Sequence, residues 1–89
     1  MALLDLLGRR WTLRVLWELR DEPVPTFREL QARCGGMSSS VLSQRLGELR
    51  DAGIVEPDAF ALTDRGRELI EALMPIHEWA TRWARRSMS

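Results

Sequence analysis

A cluster of small hydroxyl side chains, followed by an amide, is the part of the sequence best suited to specific hydrogen bonding. Serines occupy positions 38–40, and Ser43 and Gln44 follow within the next turn. Hydroxyl and amide groups can both donate and accept hydrogen bonds. Nucleophilic serine chemistry would need a base, but the single histidine, His77, and the single cysteine, Cys34, give no nucleophile and base arrangement. The sequence therefore predicts a binding protein and not an enzyme.

These polar residues lie on a predicted helix that has one apolar side. Ser38 is a good N-cap residue, and Gly53 supplies the left-handed residue that ends such a helix. At about 100° per residue, one stripe of the helix consists of Leu42, Leu46 and Leu49. The opposite side carries Ser40, Gln44 and Gly47, with Ser39 and Ser43 at its flanks. The outward side is therefore small, polar and uncharged.

An uncharged outward face is unusual for a helix that only meets water. Serines and a glycine inside a helix each cost about 0.5–1 kcal/mol relative to alanine. A helix that enters the DNA major groove needs short side chains near its N-terminus, groups such as Gln44 for base edges, and few carboxylates. We therefore expect the helix over residues 39–52 to contact double-stranded DNA through this face.

The first half of the chain contains three further predicted helices. Leucines before Gly8 predict a short N-terminal helix, and the apolar residues of 11–20 predict a helix buried on several sides. Two prolines after position 22 stop that helix. Thr26 followed by Glu29 forms a capping box, which predicts a helix over residues 27–34.

The second half contains a hairpin and a final helix. Residues 54–55 and 60–63 predict two short strands joined by a turn, and Thr63 caps the last helix. Pro75 is expected to kink or restart that helix, because it lacks an amide donor. The fold class is mainly α with a small β-hairpin. At 89 residues the single core is small, so we expect an oligomer.

Composition excludes several classes of protein. The formal net charge is +0, which gives no bulk signal for nucleic acid or membrane, and all 13 basic residues are arginine. One cysteine and one histidine cannot build a disulfide framework or a zinc site, and no other cofactor is indicated. The chain has no apolar run near 18 residues and no signal peptide pattern. These features predict a cytoplasmic protein that does not bind membranes.

Nearly the whole chain resembles the HxlR-type winged helix-turn-helix regulators, relatives of the MarR group. The resemblance rests on three segments in the same order, "LLGRRWTLRVLWEL", "TFRELQARCGGMSSSVLSQRLGELRDAGIVE" and "ALTDRGREL". It implies a homodimeric bacterial transcription factor that binds a pseudo-palindromic operator. The single domain would span residues 1–89, with a helix-turn-helix over about 26–53, a short wing over 54–63, and dimerisation helices over 1–8 and 64–86.

The resemblance also assigns DNA-facing positions. Carried over residue by residue, these are Ser38, Ser39, Ser40, Ser43 and Gln44, with Arg45 beside them and Arg28 at a backbone-contacting position. The hairpin is shorter than the family's wing and carries Glu56 and Asp58 where basic residues are usual. The early cysteine of many redox-sensing relatives is absent, so Cys34 does not inherit that role.

Two arginines near the start of the last helix allow two interpretations. Arg65 and Arg67 oppose the helix dipole at that position, which suggests that they contact phosphate. They could equally pair with the nearby carboxylates of Asp64, Glu68 or Glu71. Both interpretations stay open at the level of sequence.

The terminal helices carry the apolar residues expected at a dimer interface, namely Leu3, Leu4, Leu7, Ile76, Trp79, Ala80 and Trp83. Trp79 and Trp83 could instead line a ligand pocket. A small-molecule effector could occupy a cavity between the terminal helices and the DNA-binding core, but no residue set identifies it. Cys34 is expected to be a small buried side chain, and His77 a lone exposed one.

A protein-interaction module with little DNA affinity is the alternative function. The zero net charge and the acidic hairpin tip favour it. Against it, the segment 26–50 contains four arginines and only two glutamates, so a DNA-binding face can be positive on a neutral protein.

Overall fold

Five helices form the framework of the protein. The computed structural model describes residues 2–88, so residues 1 and 89 of the predicted domain lie outside the described residues. The helices are α1 (Ala2–Leu7), α2 (Thr12–Glu18), α3 (Phe27–Arg33), α4 (Ser39–Asp51) and α5 (Asp64–Met88). A small hairpin lies between α4 and α5. The predicted fold class, mainly α with a small β-hairpin, is confirmed.

The helix-turn-helix is built by local capping interactions. The Thr26 hydroxyl accepts a hydrogen bond from the Glu29 amide at 3.1 Å, which confirms the predicted start of α3. The Ser38 hydroxyl likewise accepts from the Val41 amide at 3.2 Å at the start of α4. Between the two helices, Gln31 Nε2 donates to the Met37 carbonyl at 3.0 Å and braces the turn. The sequence therefore fixes both ends of this unit locally.

The structure corrects the prediction for α2. This helix begins at Thr12 and ends at Glu18, and the preceding Trp11 has a left-handed φ of 77°. Its inward side is fully buried, but Leu13 is 51% exposed. Burial on several sides was therefore a wrong prediction, because the side of α2 that carries Leu13 faces an incompletely filled space next to α5.

The wing is a short hairpin, and a third segment that the sequence did not predict pairs with it. Val55 pairs with Leu62 in an antiparallel bridge, as the sequence predicts. Val24, in the connection between α2 and α3, forms a second antiparallel bridge with Phe60. The Val24 amide donates to the Phe60 carbonyl at 2.9 Å. The hairpin is thereby attached to the segment that precedes the helix-turn-helix.

The core lies where α2, α3, α4 and the hairpin meet. The leucine stripe of α4 is buried as predicted, with Leu42, Leu46 and Leu49 at most 2% exposed. The rest of the buried cluster comprises Val15, Leu16, Leu19, Val24, Leu30, Cys34, Met37, Ile54, Val55 and Leu62. One face of α4 is therefore fixed by packing, which leaves the opposite face outward.

The last helix extends beyond this core. Thr63 Oγ1 accepts from the Gly66 amide at 3.1 Å and caps α5. The helix continues without interruption through Pro75, so it does not restart there. Its 25 residues correspond to about 37 Å of helix, and the longest dimension of the molecule is 43 Å. Among the helices covering residues 2–88, none has both the length and the apolar composition to cross a membrane.

Candidate DNA-contacting surface

The outward face of α4 exposes the polar residues singled out in the sequence. Its exposed members are Ser38, Ser39, Ser40, Ser43 and Gln44. Within residues 2–88, the side chains of Ser43 and Gln44 form no hydrogen bond, so their side-chain donors and acceptors are available to a ligand. Ser38 also caps the helix, and its hydroxyl lies 3.3 Å from that of Ser40. The face combines exposed hydrogen-bonding groups with a buried leucine stripe behind it.

Two candidate arginines are available for an external anion. Arg28, near the start of α3, and Arg65, near the start of α5, are both exposed. Neither forms an ion pair or hydrogen bond within the described part of the chain. Each guanidinium can therefore meet a phosphate without first breaking an internal contact.

Arg67 has internal partners. Its Nη1 donates to the Leu62 carbonyl at 3.0 Å, and its Nη2 forms an ion pair with Asp64. The side chain is nevertheless more than half exposed. The ion-pair interpretation therefore describes Arg67, and the phosphate interpretation keeps its structural support only at Arg65.

Arg45 differs from the other predicted DNA-facing residues. Its side chain is only 13% exposed. Arg45 Nε donates to the Arg10 carbonyl at 2.9 Å, and Nη1 donates to Glu48 Oε1 at 2.8 Å. The guanidinium thus points to the turn between α1 and α2, on the flank of α4.

Three of the four arginines of residues 26–50 are held by internal contacts. Arg33 pairs with Glu29 at 3.0 Å. Arg50 donates to the carbonyls of Glu56 and Ala59 in the hairpin at 2.9 and 3.3 Å, and its guanidinium lies 5.5 Å from the Phe60 ring. With Arg45 also engaged, Arg28 is the one arginine of this segment that has no internal partner within residues 2–88.

An apolar surface runs along the distal part of α5. Ile76, Trp79 and Trp83 are 57–63% exposed, and Ala80 is exposed beside them. The two indole rings stack with centroids 6.5 Å apart and an interplanar angle of 14°. On α1, Leu3 and Leu4 are exposed, and Leu7 is half-buried against the core. Side chains of this size are rarely left exposed together on a monomer.

A cavity of about 200 Å³ lies between α2 and α5. Its lining residues are Leu13, Leu16, Trp17, Ile70, Leu73, Met74, Ile76, His77 and Ala80. The imidazole of His77 packs on the Trp17 ring with centroids 4.4 Å apart. The sequence did not predict that α2 lines this cavity, because Leu13 and Trp17 follow the pattern of core residues in a buried helix.

The Cys34 thiol lies in the core, away from solvent. Cys34 is 1% exposed, and burial, with a smaller contribution from the nearby Glu18 carboxylate, raises the pKa of its thiol. A buried thiol with a raised pKa is a poor nucleophile. Residues 2–88 contain no group of three or more His, Cys, Asp or Glu side chains that could hold a metal ion.

Solved structures share this architecture. The quinone-bound YodB from Bacillus subtilis superposes with a TM-score of 0.82 at 30% identity, covering 91% of this chain and 93% of that protein. A Thermoplasma volcanium protein, described as a possible HxlR family transcriptional factor, gives a TM-score of 0.81 at 30% identity and covers 92% and 81%.

Sequence comparison agrees with the structural comparison. YvaP of Bacillus subtilis, named an uncharacterized HTH-type transcriptional regulator, is 34% identical, and the match covers 89% of this chain and 81% of the relative. The pattern of the HxlR-like helix-turn-helix family matches residues 6–88. The family consists of transcription regulators and not enzymes. The chain therefore belongs to the HxlR-like helix-turn-helix family and is a DNA-binding transcriptional regulator.

Proposed function

We propose that the protein acts as a homodimer whose two α4 helices enter successive major grooves of a pseudo-palindromic operator. The centres of the half-sites would lie about 34 Å apart, one turn of the duplex. The observation that carries this proposal is the exposed, uncharged outer face of α4 opposite a fully buried leucine stripe. Packing leaves α4 one face for DNA, and that face carries hydrogen-bonding groups and little bulk.

The exposed residues have different proposed roles. Gln44 has a free amide that can form two hydrogen bonds with an adenine edge. The serines at 38–40 and Ser43 allow close approach and bond to phosphate or base edges. Arg28 and Arg65 contact the phosphate backbone, since both are exposed without internal partners within residues 2–88.

A selection followed by titration tests the DNA-binding role of α4. The wild-type protein selects its preferred site from a random duplex library, and Kd is then measured for that site at several salt concentrations. Gln44→Ala is expected to raise Kd roughly 5- to 150-fold, the effect of about 1–3 kcal/mol. The control Glu71→Ala changes an exposed residue of α5 and should leave Kd unaltered. Equal Kd values for Gln44→Ala and wild type would contradict this role for α4.

The second part of the proposal is a dimer formed by the terminal helices. The exposed apolar residues of α5 and α1 support it, because burying them against a second copy removes that area from water. Trp79→Glu is expected to give monomers, since a carboxylate would be desolvated in the interface. Thr81→Glu places the same carboxylate roughly 160° around the helix and should leave the dimer intact. Light scattering that finds a dimer in both variants would exclude the α5 apolar surface from the interface.

The cavity between α2 and α5 supports a role for a small-molecule effector. Its volume of about 200 Å³ exceeds that of engineered apolar cavities that bind benzene, about 150 Å³. The lining is apolar apart from His77, so a small aromatic compound fits its chemistry. Indole at millimolar concentration is expected to raise the melting temperature of wild type, and Leu73→Trp should abolish the shift. No shift in wild type would remove this cavity as the site.

The protein-interaction alternative has its own supporting observation. Most arginines of residues 26–50 are paired internally, and the hairpin tip carries Glu56 and an exposed Asp58. The salt series separates the two functions, because phosphate contacts make affinity fall steeply with salt. Failure to select any duplex would favour the alternative.

As a regulator that binds the chromosome, a bacterial protein of this kind would act in the cytoplasm.

A further inference from the structure

A cluster of charged side chains connects the flank of α4 to the turn between α1 and α2. Arg45 donates to the Arg10 carbonyl at 2.9 Å and to Glu48 Oε1 at 2.8 Å. The second oxygen of Glu48 pairs with Arg9 at 3.3 Å. We call Arg45, Glu48, Arg9 and the Arg10 carbonyl the α4 clamp. It joins residues 35 positions apart in the sequence.

The clamp is more than a solvated surface pair. The side chains of Arg45 and Glu48 are 13% and 23% exposed, so water screens their interaction less than it screens an exposed ion pair. Arg45 also donates to a backbone carbonyl, which fixes the main chain of the turn as well as a side chain. Charge-assisted bonds of this kind are among the stronger hydrogen bonds.

The turn held by the clamp has an unfavourable local conformation. Trp11, directly after the clamped carbonyl, has a φ of 77°, which a bulky side chain rarely adopts. The next residue, Thr12, is fully buried, and its hydroxyl has no hydrogen-bond partner among residues 2–88. Such a conformation persists where surrounding contacts impose it. Local sequence preference therefore does not explain the turn, whereas the hydrogen bond from Arg45 restrains it directly.

We propose that the α4 clamp is a positioning device that sets the orientation of α4 relative to the N-terminal helix. Arg45 thereby affects DNA recognition by holding the turn between α1 and α2, and it does not contact DNA itself. The part of this inference that concerns DNA rests on the proposed function. In a two-fold symmetric dimer, any rotation of α4 relative to a dimerisation helix occurs in both copies, so the clamp determines which half-site spacing fits.

Salt and spacing measurements separate a positioning role from a direct one. The variant Arg45→Met keeps a long side chain and removes both hydrogen bonds; Glu48→Gln keeps the shape and removes the charge. Binding is compared on the site selected by wild type and on the same site with one base pair inserted at its centre. Arg45→Met is expected to reduce the discrimination between these sites by about fivefold or more, with an unchanged slope of log Kd against log salt. Glu48→Gln should also reduce the discrimination between the two sites.

If Arg45 instead contacts a phosphate directly, Arg45→Met should change the salt slope and leave the spacing discrimination unchanged. Each protomer would lose one phosphate contact, so the slope would become shallower by about 1.8, and spacing discrimination would stay at its wild-type value; that result would overturn the proposal. Arg33→Met is the matched control, because Arg33 forms an ion pair with Glu29 in α3 that does not reach the turn. It should change neither the discrimination nor the exchange rates described next.

Amide hydrogen exchange tests the clamp without DNA. Exchange in residues 8–12 is expected to be at least severalfold faster in Arg45→Met than in Arg33→Met, while the α5 amides exchange equally in both. Equal protection of residues 8–12 in the two variants would overturn the proposal. If wild type selects no duplex at all, the proposed function fails, and this measurement still decides whether the clamp holds the turn.

Discussion

Gly47 lies in the middle of α4, where replacement with alanine should separate helix stability from fit to DNA. Glycine inside a helix is less favourable than alanine by about 0.5–1 kcal/mol. A Cβ atom at Gly47 would meet no heavy atom within 4 Å, other than those of its own helix backbone and its chain neighbours. No clash therefore offsets the gain. Gly47→Ala is expected to raise the free energy of unfolding by about 0.5–1 kcal/mol.

The same methyl group should weaken DNA binding. For a domain of this size, a gain of 1 kcal/mol raises the melting temperature by about 4–8 °C. The outward face of α4 approaches the groove closely in the proposed complex, so an added methyl group displaces the backbone from the base edges. We expect a higher Kd for the selected site together with a higher melting temperature. Urea unfolding and DNA titration of the same preparation measure both quantities.

Two other glycines serve as controls. Gly53 has a φ of 76°, so Gly53→Ala should destabilise the fold by about 1–2 kcal/mol. A Cβ atom at Gly66 would lie 2.2 Å from the Ile54 carbonyl oxygen, so Gly66→Ala should destabilise it by more than that. Wild-type DNA affinity for Gly47→Ala would refute the close approach of the helix backbone. A loss of stability in that variant would refute the open surroundings of Gly47.

Three further predictions address the core, the phosphate contact and the thiol. Leu46→Ala should cost about 2–5 kcal/mol in urea unfolding by opening a cavity; a smaller cost would mean that Leu46 is not a core residue. Arg28→Gln removes one contact from each protomer of the dimer, so it should make the slope of log Kd against log salt shallower by about 1.8 at unchanged melting temperature; an unchanged slope would exclude a phosphate contact. Burial raises the pKa of the Cys34 thiol, so a thiol reagent at pH 8 should react slowly with the native protein and fast in urea. Rapid reaction of the native protein would contradict this burial.

The helix boundaries illustrate what local sequence signals determine. Thr26, Ser38 and Thr63 each cap the helix that the sequence predicts, because a side-chain oxygen accepts a hydrogen bond from an amide three residues later. The leucine spacing of α4 equally predicted its buried stripe. These interactions connect residues within one or two turns, so a single sequence contains them fully.

The contacts of the arginines illustrate what sequence signals could not determine. Arg45 reads as a neighbour of the DNA-facing residues, yet it reaches a carbonyl 35 positions earlier. Arg50 reads as a positive charge on the helix-turn-helix, yet it binds two carbonyls of the hairpin. A long flexible side chain can reach many partners, and only the packing of the elements selects one.

The sequence by itself determined the order of the helices, their caps and the face of α4 that is buried, since these depend on periodicity and on hydrogen bonds within a few residues. The tertiary structure decided the left-handed turn at Trp11, the bridge between Val24 and Phe60, and the arginines that remain available to DNA. Each of these depends on groups that are distant along the chain and become neighbours only when the apolar core brings α2, α4 and the hairpin together.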